Sequence, residues 1–373
     1  MSSEKIVPGR ILYGPDFEVI EGYITIKDGI ISKVTEEKVD SQNIITPCFV
    51  NCHTHIADSV YKDPPLGEYD RFILQHDLDS LVKPPDGLKH RVLQKTSTQE
   101  LIEGMRYSLK DMLATGTSSF ADFRENGLPG VLALKDALKS TDIDHTILGR
   151  PSGYVGGTDK TIMEVERILE HADGMGISGI NDMNHELIEA IAECTKEHKK
   201  IFAIHCAEKE RKGIDTTLGL QPNFLIHMTR ALKEDLETVA DLDIPVIVCP
   251  RSNFTTGAGM APVAQMLEMG IKVGIGTDNV MLNSVNMFAE MEILSKVFGL
   301  EDRQVFKMCT INGASILGQG RTGMIQENCR ADIMILNGYS NNLSGTADVL
   351  NSVVRRARPD DILAVIDSNS CKN

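Results

Sequence analysis

The chain has 373 residues, 42% hydrophobic and 24% charged, with a formal net charge of -15. That is enough apolar side chain for one large barrel-type domain and a smaller companion, and it excludes global disorder. The acidic balance argues against nucleic acid as the main partner, and with no run of 18 apolar residues no membrane span is expected.

The first residues, "MSSEKIVPGR", lack an apolar stretch of signal-peptide type, so a cytoplasmic location is expected. Residues 11 to 47 read as short strands, with a hairpin signal at Asp28-Gly29 inside "GYITIKDGIISKVT". "IITPCFVN" (44 to 51) is the first strong apolar strand candidate. A polar stretch from about 58 to 97 follows and reads as an irregular insertion, because "YKDPPLGEYD" and "KPPDG" break helices. "TSTQELIEGMRYSLKDMLATG" then opens with a helix N-terminal signature and closes on Gly116. From there strands and helices alternate. The strand candidates are 116 to 123, 145 to 151, 175 to 180, 200 to 206, 223 to 228, 244 to 250 and 271 to 278; 185 to 200 and 231 to 243 carry the helical period. Near the end, "GMIQENCRADIMILN" and "DDILAVIDSN" return to short strands.

Eight strands separated by helices fit an α/β fold of the (β/α)8 TIM-barrel type over 48 to 319. The two strand-rich ends, 1 to 47 and 320 to 373, would together build a small composite β-sandwich. A doubly wound sheet is the rival that periodicity leaves open. The eight cysteines form no CxxC pair and several sit in apolar segments, so they read as buried thiols of a reducing compartment.

Barrel enzymes carry their chemistry at the C-terminal ends of their strands. Here those ends hold His53 and His55 ("FVNCHTHIADS"), His205 ("FAIHCAEKE"), His227 ("FLIHMT") and Asp278 ("GIGTDN"). Residues i and i+2 of a strand share a face, so His53 and His55 can grip one ion. A lone histidine after an apolar run is usually a hydrogen-bonded rim residue; four with an aspartate, all at matching ends, point to a metal site.

On these motifs, with "CPRSN" (249 to 253), the chain resembles the amidohydrolase superfamily from about residue 6 to 368. It is most similar to the branch of cytosine, S-adenosylhomocysteine and guanine deaminases and triazine chlorohydrolases. The resemblance implies one zinc or iron ion on His53, His55, His205 and Asp278. It also implies Glu208 as proton shuttle and His227 beside the reacting water. Imidazoles and a carboxylate suit zinc, with ferrous iron as alternative. Two-metal relatives carry a bridging lysine near strand four; "GMGISGIND" has none, so one ion is expected.

Arg150, Arg124 and Arg251 each follow a strand and are candidates for reading a substrate carboxylate, phosphate or ring carbonyl. Asn181 and Asp182 stand where related nucleoside deaminases carry a histidine-proline segment, and the stretch after the first histidine pair lacks their apolar-arginine-glycine pattern. Both departures weaken the case for a purine nucleoside. The expected activity is hydrolytic deamination of a small aminated heterocycle. Amide or C–Cl hydrolysis is the alternative, and a noncatalytic binding or regulatory protein the alternative of another class. The expected partner is a small-molecule substrate, with no nucleic acid and no membrane; homo-oligomerisation stays open.

Overall fold

The computed structural model describes residues 4–63, 78–83, 87–152, 157–181 and 183–369. Both chain ends meet in one mixed six-stranded sheet. Its strands are β1 (Glu4–Tyr13), β2 (Glu18–Lys27), β3 (Ile30–Glu36) and β4 (Ile44–Pro47), joined by β14 (Ile333–Leu336) and β15 (Ile362–Ile366) in the order β15-β14-β4-β1-β2-β3. Among the described residues the ends thus form a single continuous sheet, rather than the two packed sheets of the expected sandwich. Asp28 (φ 51°) and Gly29 (φ 76°) make the tight β2–β3 turn, as two-residue hairpins require.

The second sheet is parallel and curled. It runs β12-β11-β10-β9-β8-β7-β6-β5-β13. Its members are β5 (Phe49–His55), β6 (Thr117–Arg124), β7 (Asp144–Gly149), β8 (Gly174–Ile177), β9 (Ile201–Cys206), β10 (Phe224–His227), β11 (Val246–Val248), β12 (Val273–Ile275) and β13 (Asp278–Asn279). Residues 44 to 51, continuous in the sequence as one apolar run, divide at Cys48: β4 joins the small sheet and β5 the large one. Apolarity marks a strand but not the sheet it joins, which is set by long-range pairing.

Gly276 and Thr277 interrupt the chain between β12, which pairs with β11, and β13, which pairs with β5. The Asn51 amide stitches this break. Its Nδ2 donates to Thr277 Oγ1 at 2.8 Å and its Oδ1 accepts from the Thr277 N–H at 3.1 Å, across 226 residues of sequence. A Cβ on Gly276 would meet His53 Cβ at 2.5 Å, so only glycine permits this approach.

Strand alternation sorts the core. In β9, Phe202 and Ile204 pack outward among the helices, whereas Ala203 joins Phe123, Phe224, Ile226 and Ile247 in a separate buried cluster. In β14, Ile333 and Ile335 pack into the small sheet's own core, while Met334 and Leu336 pack into the large one. The Thr98–Ala114 helix starts at a capping box between Ser97 and Glu100 and stops before Gly116 (φ 84°). One reading needs correction: the stretch 58 to 97 contains a helix, Leu88–Lys95, beginning just past "KPPDG". The prolines end upstream of it, and Leu93 anchors it in the core. No helix among the described residues is long and apolar enough to cross a membrane.

Candidate active site

Four histidines and an aspartate meet at the C-terminal ends of the parallel strands. His53 Nε2 lies 3.2 Å from Asp278 Oδ1 and 3.2 Å from His205 Nε2, and His55 Nε2 lies 3.4 Å from the same carboxylate oxygen. The candidate donor atoms of His53, His205 and His227 fall within 4.8 Å of one another, as do those of His53, His55 and Asp278. His227 (φ 75°) and Asp278 (φ 60°) occupy left-handed backbone. Such angles are uncommon for residues with a Cβ and persist where surrounding structure holds them.

The proton arrangement is informative. His55 Nδ1 faces only acceptors, Phe123 O at 3.0 Å and Glu125 Oε1 at 2.8 Å, so it carries the proton. His205 Nδ1 likewise donates to Ile177 O at 2.8 Å. Both Nε2 atoms therefore present lone pairs, and that of His55 faces the carboxylate. Burial, reinforced by Lys89, lowers the His55 pKa to about 3. Burial and neighbouring imidazoles hold His205 well below its usual value, and burial lowers His227 to about 4. Burial raises Asp278, but the hydrogen bond and charge of His53 outweigh it and keep the carboxyl ionised. The Nε2 lone pairs of His55 and His205, gathered beside a buried carboxylate, repel one another unless a cation lies among them. The donor set therefore fits a divalent metal ion. Cys249 is also near His227 and Asp278, but burial pushes its thiol pKa well up, which disfavours the thiolate a ligand must be.

Asp278 is braced on both oxygens: Ser252 Oγ donates to Oδ2 at 2.6 Å and Asn279 Nδ2 to Oδ1 at 2.9 Å. Glu208 Oε2 stands 3.5 Å from His227 Nε2. A cavity of about 300 Å³ opens over these groups, lined by His55, His205, Glu208, His227 and Asp278 and also by Arg150, Asn181 and Lys89.

The other candidates lie elsewhere. Arg124 is buried in ion pairs with Asp122, at 3.1 Å, and with Glu125; it does not line the cavity. Arg251 is held by Glu290 at 2.7 Å and by Ser284 and Asn286, also away from the cavity. A strand-end arginine thus faces either the pocket or the packed rim, and its position alone does not distinguish them. Asp182 lies outside the described residues. Sequence reasoning missed Lys89, Glu125 and Ser252. Ser252 and Glu125 adjoin singled-out arginines, so their neighbourhood was visible; nothing local marks Lys89, a lysine on a short polar helix.

A parallel sheet with a metal-ligand cluster at its C-terminal edge is the architecture of metal-dependent barrel hydrolases. The chain belongs to the amidohydrolase family, whose profile matches residues 44–366. It is 34% identical over 386 residues to a putative aminohydrolase of Methanothermobacter thermautotrophicus, covering 96% of each chain. It is 24% identical over 399 residues to a 5-methylthioadenosine/S-adenosylhomocysteine deaminase of Desulforamulus reducens, covering 95% of this chain and 89% of the other. Among solved structures it is similar to atrazine chlorohydrolase from Arthrobacter aurescens complexed with zinc. There the TM-score is 0.81 at 17% identity, over 97% of this chain and 94% of that one.

Proposed function

We propose that the protein is a metal-dependent hydrolase that deaminates a small aminated heterocycle. The observation carrying this is the convergence of His53 and His55 Nε2 atoms on a braced Asp278, beside His205 and His227, in the lining of an open cavity. His53, His55, His205 and Asp278 would hold one divalent ion, zinc by preference and ferrous iron as alternative. When bound, that ion supplies Lewis acidity toward water and substrate. Glu208 accepts the water proton on its carboxylate and returns it to the departing nitrogen. His227, neutral and buried, steadies the attacking oxygen, and Arg150 and Asn181 orient the substrate from the cavity wall. A deaminase-named relative and a chlorohydrolase of the same fold support C–N bond cleavage as the first reading and amide or C–Cl cleavage as the second.

The same proposal treats β12 and β13 as one interrupted eighth strand closing a (β/α)8 barrel over 48 to 319, with 1 to 47 and 320 to 373 forming the small domain. It includes a cytoplasmic location, supported by seven buried, unbridged cysteines among the described residues.

An ammonia-release screen over pyrimidines, purines, triazines and pterins tests the activity. Glu208→Gln should retain about one metal equivalent per chain while turnover falls about 10²–10⁴-fold, the range of positioned acid–base groups. A fully active E208Q would remove Glu208 from the mechanism.

A further inference from the structure

Lys89 reaches from the Leu88–Lys95 helix into the wall of the site, and its side chain is only 3% exposed. Its Nζ lies 2.6 Å from Glu125 Oε1 and donates to Asn279 Oδ1 at 3.0 Å. Each partner leads to a candidate ligand. Glu125 Oε1 is 2.8 Å from His55 Nδ1, and Asn279 Nδ2 donates to Asp278 Oδ1 at 2.9 Å. A single ammonium group therefore joins two groups in contact with two candidate ligands carried on different strands, β5 and β13.

Resting on the metal-centre reading above, we propose that Lys89 is a positioning residue that couples metal binding to the seating of the Leu88–Lys95 helix. Glu125 is shared by His55, Lys89 and Arg124, with Arg150 Nη2 at 3.8 Å, and Asp58 lies 3.8 Å from Nζ. Removing the ammonium leaves the Glu125 carboxylate to draw on the remaining cations. It also leaves the Asn279 amide without the acceptor-side contact that sets its rotamer. Groups that orient metal ligands through hydrogen bonds are worth a substantial part of metal affinity. The coupling is reciprocal: if the seated helix favours the metal, the metal favours the seated helix by the same factor. The rival role for Lys89, which also faces the cavity, is direct contact with substrate; that role leaves metal affinity untouched.

The test measures zinc affinity of the full-length metal-free protein by competition with a chromophoric chelator, without substrate. Lys89→Met should weaken zinc binding about 10–100-fold, and Lys89→Arg, which keeps the charge, should regain most of it. Amide hydrogen exchange of residues 88 to 95 in the wild-type protein should slow on adding zinc. A folded K89M with wild-type zinc affinity overturns the proposal, even if its KM rises. Exchange at 88 to 95 that is indifferent to zinc in the wild-type protein also overturns it, and this measurement needs no variant to fold. A wild-type protein that binds no zinc or ferrous iron defeats the metal-centre reading itself, a result distinct from either.

Discussion

Asp58 shows how a buried acid leaves a signature in solution. Burial raises its pKa to about 8, with Lys89 opposing the rise and Glu125 adding to it. The folded state then holds a proton that the unfolded chain releases near pH 4. Because the folded state binds more protons between those values, the Asp58 contribution to stability is full below about pH 4. It is lost as pH rises toward 8. Asp58→Asn removes this dependence and keeps the acceptor for the Met281 N–H, now at 2.9 Å. The melting temperature of D58N relative to wild type should therefore climb between pH 6 and pH 8.5; a constant difference would show that Asp58 is already ionised at pH 6. The candidate ligands and the residues around them differ in how readily sequence exposes them. His53, His55, His205, His227 and Asp278 each stand where an apolar run stops, a mark visible in one dimension. Asn279 is marked by its place directly after Asp278, but Lys89 and Glu125 meet it from two distant stretches, and that meeting exists only after folding.

The element that most constrains the site is the β12–β13 break against β5. Gly276 lies so close to His53 that an added methyl group would collide with its Cβ and with its backbone at 2.8–2.9 Å. Gly276→Ala should destabilise the fold by about 1–3 kcal/mol, the usual cost of overpacking. It should also reduce bound metal by displacing His53. Denaturant titration and elemental analysis check the two effects, and a stable G276A with full metal content would contradict the packing argument. At this scale the sequence was readable wherever one period dominated. The Thr98–Ala114 helix, with its Ser97–Glu100 box, announces both ends. The Leu88–Lys95 helix does not, since proline and glycine just before it mask a segment only eight residues long. The division at Cys48 was equally hidden, because β4 and β5 are alike in composition and differ only in their partners.

Across the whole molecule, β14 works as a shared wall. Its alternate residues face two different cores, and Met334, fully buried, packs against Gly116 at the foot of β6. Met334→Ala should cost about 2–5 kcal/mol. If the wall couples the two sheets, far-UV circular dichroism and intrinsic tyrosine fluorescence should still report one coincident transition at lower denaturant. Early separate melting of the small sheet would show that the wall transmits little. The α/β class and the meeting of both termini were legible from the order of strand and helix patterns. The pairing of β13 with β5 was not, since a two-residue strand carries almost no pattern of its own.

The stitch between Asn51 and Thr277 also sets a schedule. The two residues are 226 positions apart, so at synthesis rates of about 5–20 residues per second roughly 10–45 s separate their appearance at the ribosome. Throughout that interval β5 has emerged without its β13 neighbour, and His53 and His55 without Asp278. An ion arriving early meets imidazoles alone. On the proposed ligand set the Asp278 carboxylate comes last, after its Ser252 brace, which would make final capture of an ion a late event in the birth of the protein.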